Sequence, residues 1–472
     1  MKVQIIIVLI VCMRIMKNMN KAKIIVDLGY GDAGKGTIVD ALTRQSENTL
    51  IVRYNGGPQC AHNVVLPNKI HHIFAQFGSG MLVPGTTTHL SRFMLINPIT
   101  MLNETEGLTR HGCNDALSKT TIEETALIIT PFHQIVNKLK EISRGTNCHG
   151  SCGMGVGEAV SDSLSMNNSL RIYELKDKRS CLKKLKMIQE QKKDEILQDY
   201  FKNIIDNSDD VSEELDMLQN TNMPEIIYDM YKEFIDKVIL VDSDYLSKEM
   251  KKHSQIIFEG AQGILLDEWY GFHPYTTWTN TTTQNAKELL EDFDGEIETI
   301  GVTRTYSTRH GNGPFVSEQK LDKVEEVFNI NNKWQHNFRV GPLDFVALRY
   351  ALKVNGKIDS LAVTHLDYAW RTDPYICNRY VYLKENTEEK NKFFEFDKFD
   401  PLVSSDLISD IKLPPVQNLT YQEGLTKALF SCKPSLLHTK GDYLEIIETL
   451  LGIKASIISY GQTFLHKKVL KW

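Results

Sequence analysis

The sequence predicts an α/β fold built on a large, mainly parallel central sheet, with a P-loop-like phosphate site and an inserted helical lobe. Three observations carry this expectation. Short apolar, β-branched runs of strand length recur along the chain, one of them leads through a glycine-rich turn into a helix, and the pattern changes to charged helical periodicity between about 170 and 252. At 472 residues, 42% hydrophobic and 24% charged, the chain can bury a large core.

Taken in order, Val3 to Cys12 is an apolar run of about ten residues, half of the ~20 a membrane-spanning helix needs. No Ala-x-Ala-like cleavage site follows it, so residues 1–18 read as a non-native N-terminal extension, with Met16 or Met19 as the start. Lys21 to Gly29 reads as a buried strand, and Thr37 to Thr43 as the helix that opens on the turn after it. Further strands are expected at Thr49–Arg53, Ala126–Thr130, Gln255–Phe258, Ile297–Thr303 and Ser360–Thr364. In the helical lobe, Leu182, Leu185 and Ile188, then Ile227, Met230, Phe234 and Val238, recur at helical spacing, and the charges between them read as a solvated face. Glu385 to Asp400 is expected to be a hairpin or loop excursion.

A net charge of −6 gives no broad electrostatic reason to expect nucleic acid or an anionic membrane as partner, so any phosphate must be held locally. Eight scattered cysteines without Cys-x-x-Cys pairs argue for a reducing, cytoplasmic setting and against a disulfide framework. Cys148-His149-x-x-Cys152 lacks a second ligand pair and reads better as part of a glycine-rich loop than as a zinc site.

The chemistry concentrates in Gly29-Tyr-Gly31-Asp32-Ala-Gly34-Lys35-Gly36-Thr37. Glycines let backbone N–H groups face an anion, a helix N-terminus adds positive potential, and Lys35 supplies a full charge. The spacing is that of a P-loop, but Gly36 stands where Ser or Thr normally binds magnesium, which makes Asp32 the candidate metal ligand. Alone, Asp32 also reads as a turn aspartate and His62 as a helix-cap histidine.

Gly31 to Gly36 followed by Ile38-Val39-Asp40 resembles the adenylosuccinate synthetase family. So do Val52-Arg53-Tyr54-Asn55-Gly56-Gly57 with His62, Phe258-Glu-Gly-Ala-Gln262 through Asp267, and His273-Pro-Tyr-Thr-Thr277 with Asn280. Thr308-Arg309-His-Gly-Asn-Gly313-Pro-Phe315 and Gly341-Pro-Leu-Asp344 complete six blocks in the family's order, from about Lys23 to Phe464. The resemblance implies a single domain over residues 19–472, a homodimer, and a ligase that uses GTP and magnesium (Mg2+) to join L-aspartate to inosinate (IMP), a purine monophosphate. It implies that Asp32 takes the purine N1 proton, that His62 assists the 6-oxygen, and that Lys35 offsets developing charge, with Mg2+ on Asp32 and the carbonyl of Ala61. Gly31, Gly34, Gly36 and Thr37 would hold phosphate, and Gln262, Leu266 and Thr277 would cradle the acceptor. Cys152, Arg339, His365, Asp367, Ser459 and Gly461 are the remaining nucleotide contacts it implies.

The chain departs from the family pattern in three places. Where the amino-acid loop normally has a Thr pair and several arginines, it has Lys333, Trp334, His336 and Phe338, leaving Arg339 as the fork-shaped anion partner. His336 there implies relaxed ribose selectivity. The acceptor-phosphate block reads Ser151-Cys152-Gly153-Met154-Gly155-Val156-Gly157, short of a hydroxyl and an arginine; the arginine contributed by a partner subunit aligns near Asn167, with Arg171 as a substitute. The base-reading Lys-x-Asp is His365-Leu-Asp367. A ligase for another purine nucleotide such as dGMP, or a nucleotide-binding relative without catalysis, are the alternatives.

Overall fold

The computed structural model describes residues 20–145, 148–165, 169–207, 211–329, 338–371, 374–396 and 407–470. The central sheet has ten strands. In chain order they are β1 (Lys21–Asp27), β2 (Thr49–Arg53), β3 (Thr86–Leu90), β4 (Thr120–Glu123), β5 (Ile239–Val241), β6 (Gln255–Glu259), β7 (Glu296–Arg304), β8 (Ser360–Thr364), β9 (Ala455–Ser459) and β10 (Lys467–Val469). Their spatial order is β10-β9-β8-β7-β1-β6-β2-β3-β4-β5. Every pairing is parallel except β9 with β10, which is antiparallel and closes one edge. The large, mostly parallel sheet expected from the apolar runs is therefore present, and β1, β6 and β2 lie side by side at its centre.

Burial explains why these runs read as continuously apolar. Ile24, Ile25 and Val26 of β1 and Ile256, Ile257 and Phe258 of β6 are buried on both faces of the sheet. The helix α1 (Lys35–Thr43) lays Ile38, Val39 and Leu42 against Ile25, Ile51, Ile257 and Ile300. This holds its N-terminus over the C-terminal ends of β1 and β6, where ligands of open α/β sheets bind.

One expected strand is displaced. Between Ala126 and Thr130 only Leu127–Ile128 is extended, and it pairs with Leu95–Ile96 in a separate two-stranded sheet. The central strand of this region is β4. The chain leaves it through a turn in which Ala126 N donates to Glu123 O, and Thr130 already caps the helix Pro131–Ser143. The segment from Glu385 also differs from a plain hairpin or loop: it opens with the helix Thr387–Phe393, capped by Asn386, with Glu388 and Glu389 in its first turn. Phe394–Phe396 then pairs antiparallel with Leu407–Ile411, while residues 397–400 lie outside the described residues.

Helices Lys178–Glu195, Ser212–Gln219 and Met223–Ile235 bury Leu185, Ile188, Leu218, Ile227, Tyr231 and Phe234 in one apolar cluster. The charges here are not all on a solvated face. Lys192 is buried, with its ammonium 2.7 Å from Asp162 and 3.4 Å from Glu158, because those carboxylates project from the neighbouring helix Val156–Leu164 and need a cation. Among the described residues no helix is long and apolar enough to cross a membrane. A second, six-stranded sheet built on Tyr306–His310, Phe338–Asp344 and Tyr375–Tyr382 packs its own core beside the central sheet.

Ile257, fully buried between β1 and β2 and beneath α1, tests the packing of this centre. Ile257→Ala is expected to destabilise the fold by about 2–5 kcal/mol, the range for removing buried methyl groups from a core that cannot fully collapse. Urea unfolding measures it; a loss below about 1 kcal/mol would show that the centre is loosely packed.

Candidate active site

The glycine-rich loop is organised by a residue that its motif does not contain. Asp27, at the C-terminal end of β1, accepts from Gly29 N and Ala33 N at 2.9 Å each and from the Lys35 ammonium at 3.0 Å, with both side chains buried. Gly31 and Gly34 have φ of 94°, and Asp32 itself is left-handed at 61°. That conformation costs a non-glycine residue on the order of 1 kcal/mol, least for Asp and Asn. It is held by neighbours: Arg304 Nε donates to Asp32 O at 2.6 Å and Thr364 Oγ1 to Ala33 O at 2.8 Å. The Asp32 carboxylate is partly exposed to the cavity, with His310 Nε2 3.6 Å away.

Gly36 has a steric reason. A Cβ there would lie 2.7 Å from the Cβ of His62, so a Ser or Thr would push that histidine away from the loop. His62 sits on the hairpin strand His62–Val65, and its Nδ1 lies 2.6 Å from Glu259 Oε1. Glu259 also accepts from Ser79 N at 2.9 Å and from the Ser79 hydroxyl. Burial pushes the Glu259 carboxyl up, but the Arg53 guanidinium, His62 and Ser79 outweigh it and bring it down to about 2. Burial lowers the pKa of His62, against the pull of Glu259. The ionised carboxylate therefore fixes Nδ1 as the protonated nitrogen, and the buried Nε2 is left without a partner among the described residues.

The glycine-rich loop and His62 border a cavity of about 1080 Å³. It is also lined by Gly31, Gly34, Thr37, Ala61, Cys152, Gln262, Leu266, Thr277, His365, Asp367, Ser459 and Gly461, together with Asp32, Lys35, Gly36 and His62. Sixteen of the residues singled out from the sequence thus meet at one cavity, and Arg339 does not. Its guanidinium donates to Glu318 at 2.8 Å and to the carbonyls of Gly311 and Gly313 at 2.6 and 3.0 Å, bracing the turn behind the cavity wall. Arg171, considered as a substitute phosphate partner, is held at the carbonyl of Thr125 and does not line the cavity. Asn167, Lys333, Trp334 and His336 lie outside the described residues.

On the glycine-rich loop 150–155 the backbone donors are engaged from within. Glu141 accepts from Gly150 N at 2.8 Å and Ser151 N at 3.1 Å, and Asn137 accepts from the Ser151 hydroxyl at 2.8 Å and Gly155 N at 3.3 Å. At the opposite end His365, left-handed at φ 59°, is locked by Thr305, whose hydroxyl donates to its carbonyl at 2.7 Å. The buried groups that position the site, Asp27, Glu259, Ser79 and Arg304, were not singled out from the sequence. Asp27 and Glu259 did leave a signal there: each is the one carboxylate ending an apolar run, Ile-Ile-Val-Asp and Ile-Ile-Phe-Glu.

A family model described as adenylosuccinate synthetase matches residues 24–464. The chain belongs to the adenylosuccinate synthetase family, whose members are C–N ligases. An adenylosuccinate synthetase of Buchnera aphidicola subsp. Schizaphis graminum is 32% identical over 367 residues, covering 74% of this chain and 78% of that one. Among solved structures, fully ligated adenylosuccinate synthetase from Plasmodium falciparum superposes with a TM-score of 0.71 at 19% identity, over 96% of this chain and all of that one. The succinoaminodeoxyadenylate synthetase of cyanophage S-2L, bound to dGMP and dATP, gives a TM-score of 0.55 at 14% identity, over 96% and 95%. At such identities the two structures speak to the fold.

The Glu259 pair makes a pH-dependent prediction. Its folded pKa of about 2 lies below the ordinary glutamate value, so its contribution to stability is present above about pH 4.5 and is lost as pH falls toward 2. Glu259→Gln, which also removes one of the carboxylates acting on buried Arg53, is expected to cost about 3–5 kcal/mol at pH 7. The gap from wild type should shrink as pH falls from about 5 toward 2, measured by denaturant melts across that range; a gap independent of pH would remove the assigned ionisation.

Proposed function

We propose that this protein is a GTP-dependent ligase that converts IMP and L-aspartate to adenylosuccinate, GDP and phosphate through a 6-phosphoryl intermediate. The supporting observation is that Asp32, Lys35 and the unpartnered Nε2 of His62 border one cavity at the N-terminus of α1. A base, an acid and a phosphate-binding cation are what this chemistry needs, and a binding module needs only the last.

In the first step the Asp32 carboxylate accepts the N1 proton of the purine lactam, and the resulting 6-oxyanion attacks the γ-phosphorus. The bond to the β,γ-bridging oxygen breaks and GDP departs, with Lys35 and the loop amides offsetting charge on the transferred group. The neutral amine of aspartate then attacks C6, the bond from C6 to the phosphorylated oxygen breaks, phosphate leaves and the amine proton passes to solvent. His62 serves the 6-oxygen through Nε2: protonated in the presence of the anionic substrates, it donates there while Glu259 stabilises the imidazolium through Nδ1.

Among the described residues no three His, Cys, Asp or Glu side chains group as a metal cage. The donors present still fit magnesium, which keeps several waters and is bound through one or two carboxylates plus substrate phosphates. Asp32 and the carbonyl of Ala61 would hold it, and when bound it supplies electrostatic stabilisation of the phosphates. Asp367 can accept from guanine N1–H and the 2-amino group, which favours GTP over ATP. A homodimer completes the proposal, as the family resemblance implies, although the partner arginine of the family pattern aligns in this chain near Asn167.

Asp32→Asn is expected to lower turnover by about 10³-fold or more while the melting temperature holds, because an amide accepts no lactam proton and binds magnesium poorly. Phosphate release with IMP, dIMP, GMP or dGMP, each with GTP, Mg2+ and aspartate, tests the assignment. Retention of a tenth of wild-type turnover in the variant would refute the assigned base. A faster rate with dGMP than with either hypoxanthine nucleotide would move the protein to guanylate amination, and no release with any of the four would leave a binding function.

A further inference from the structure

We propose that Arg304 binds a carboxylate of the amine donor, and that Glu326 is the protein carboxylate that shares this guanidinium and sets how readily the donor is taken up. The inference rests on the ligase reading, in which an α-amino dicarboxylate delivers its amine to purine C6. Arg304 ends β7, the strand beside β1, and its side chain is 5% exposed. Its Nε donates to the carbonyl of Asp32 at 2.6 Å, and its Nη1 donates to the Tyr306 hydroxyl at 2.9 Å and to Glu326. Nη2 bonds nothing among the described residues, yet it is not sealed in the interior, and the residue lines the cavity. A nearly buried guanidinium with one terminal nitrogen unspent at a cavity wall can take a further anion, and its planar fork suits a carboxylate.

The reaction fixes where such a group must stand. N1, whose proton Asp32 accepts, is bonded to C6, so the amine that attacks C6 arrives beside Asp32 and brings its carboxylates with it. The other lysines and arginines at the cavity are committed elsewhere. Lys35 is held by Asp27 in the phosphate loop, Lys140 by Glu158 and Glu195, Arg144 by Glu141 beside the loop 150–155, and Arg309 by three carbonyls. Among the described residues, Arg304 alone of these five bonds the residue that acts at N1.

Glu326 makes the site adjustable. It accepts from the Tyr306 hydroxyl at 2.7 Å and from Asn329 at 2.8 Å as well as from Arg304, so it is fixed in place, and as an anion it competes with the donor for the guanidinium. Removing one partner or the other therefore moves donor affinity in opposite directions: it falls without the cation and rises without the like charge. A pair that only braced the loop would weaken the site in both variants.

Steady-state phosphate release by the full-length protein, with aspartate varied at saturating IMP, GTP and Mg2+, reads the pair. Arg304→Met is expected to raise KM for aspartate by about tenfold or more and KM for IMP and GTP by less than about threefold, with kcat lowered as well because Asp32 loses a brace. Glu326→Gln, which still accepts hydrogen bonds, is expected to lower KM for aspartate by about threefold. A KM for aspartate within about twofold of wild type in Arg304→Met, or a rise shared equally by all three substrates, would overturn the proposal and leave a bracing arginine. So would a KM for aspartate that stays or rises in Glu326→Gln. If Arg304→Met fails to fold, Arg304→Gln takes the same test. Wild-type protein that releases no phosphate with aspartate would instead refute the ligase reading itself, and the role of Arg304 with it.

Discussion

The carboxylate of Asp27 is the constraint on which the rest of the site depends. Buried at the C-terminal end of the central strand, it costs several kcal/mol unless paired, and the structure pairs it with Lys35 and two loop amides. One buried anion thereby fixes where the glycine-rich loop turns, where α1 starts and where its lysine points. The neighbouring strand repeats the device with Glu259, which accepts from His62 and Ser79 under the influence of Arg53. Two adjacent parallel strands thus each end in a carboxylate that orients a functional cation or imidazole from a different loop.

The fold was legible in the sequence where burial is two-sided. β1, β2, β6, β7 and β8 share a buried, mainly apolar middle, and such runs have few alternatives. Legibility failed at Ala126 to Thr130, whose composition is equally β-branched, because a helix cap and its proline at 131 claim the chain after two residues. Site residues carried by glycine-rich blocks were legible because few side chains suit such turns. Arg339 was read for its chemistry alone, and its partners, the carbonyls of Gly311 and Gly313 and the carboxylate of Glu318, are visible only once the turn is folded. Lys192 misled for the same reason: nothing local says that Asp162, thirty residues earlier, will be its counter-ion.

Two buried guanidinium groups in this protein, Arg309 and Arg53, donate to backbone oxygen. Arg309 donates to the carbonyls of Asn312, Pro314 and Tyr275, and burial pushes it down to about 10. Arg53 donates to those of Ala75 and Phe77. A guanidinium bound this way acts as a strut between turns, and its direction is set by chain path, whereas a pairing with a carboxylate would also constrain the partner's element.

The contact between Gly36 and His62 has an evolutionary consequence. With 2.7 Å between the Cβ of His62 and the place a Cβ would occupy, the loop can regain the hydroxyl of an ordinary nucleotide-binding turn only if the strand that carries His62 shifts. Such a shift would also disturb the 2.6 Å contact of the imidazole with Glu259. The glycine and the Glu259-bound histidine are thus coupled positions, and a change at one calls for a change at the other.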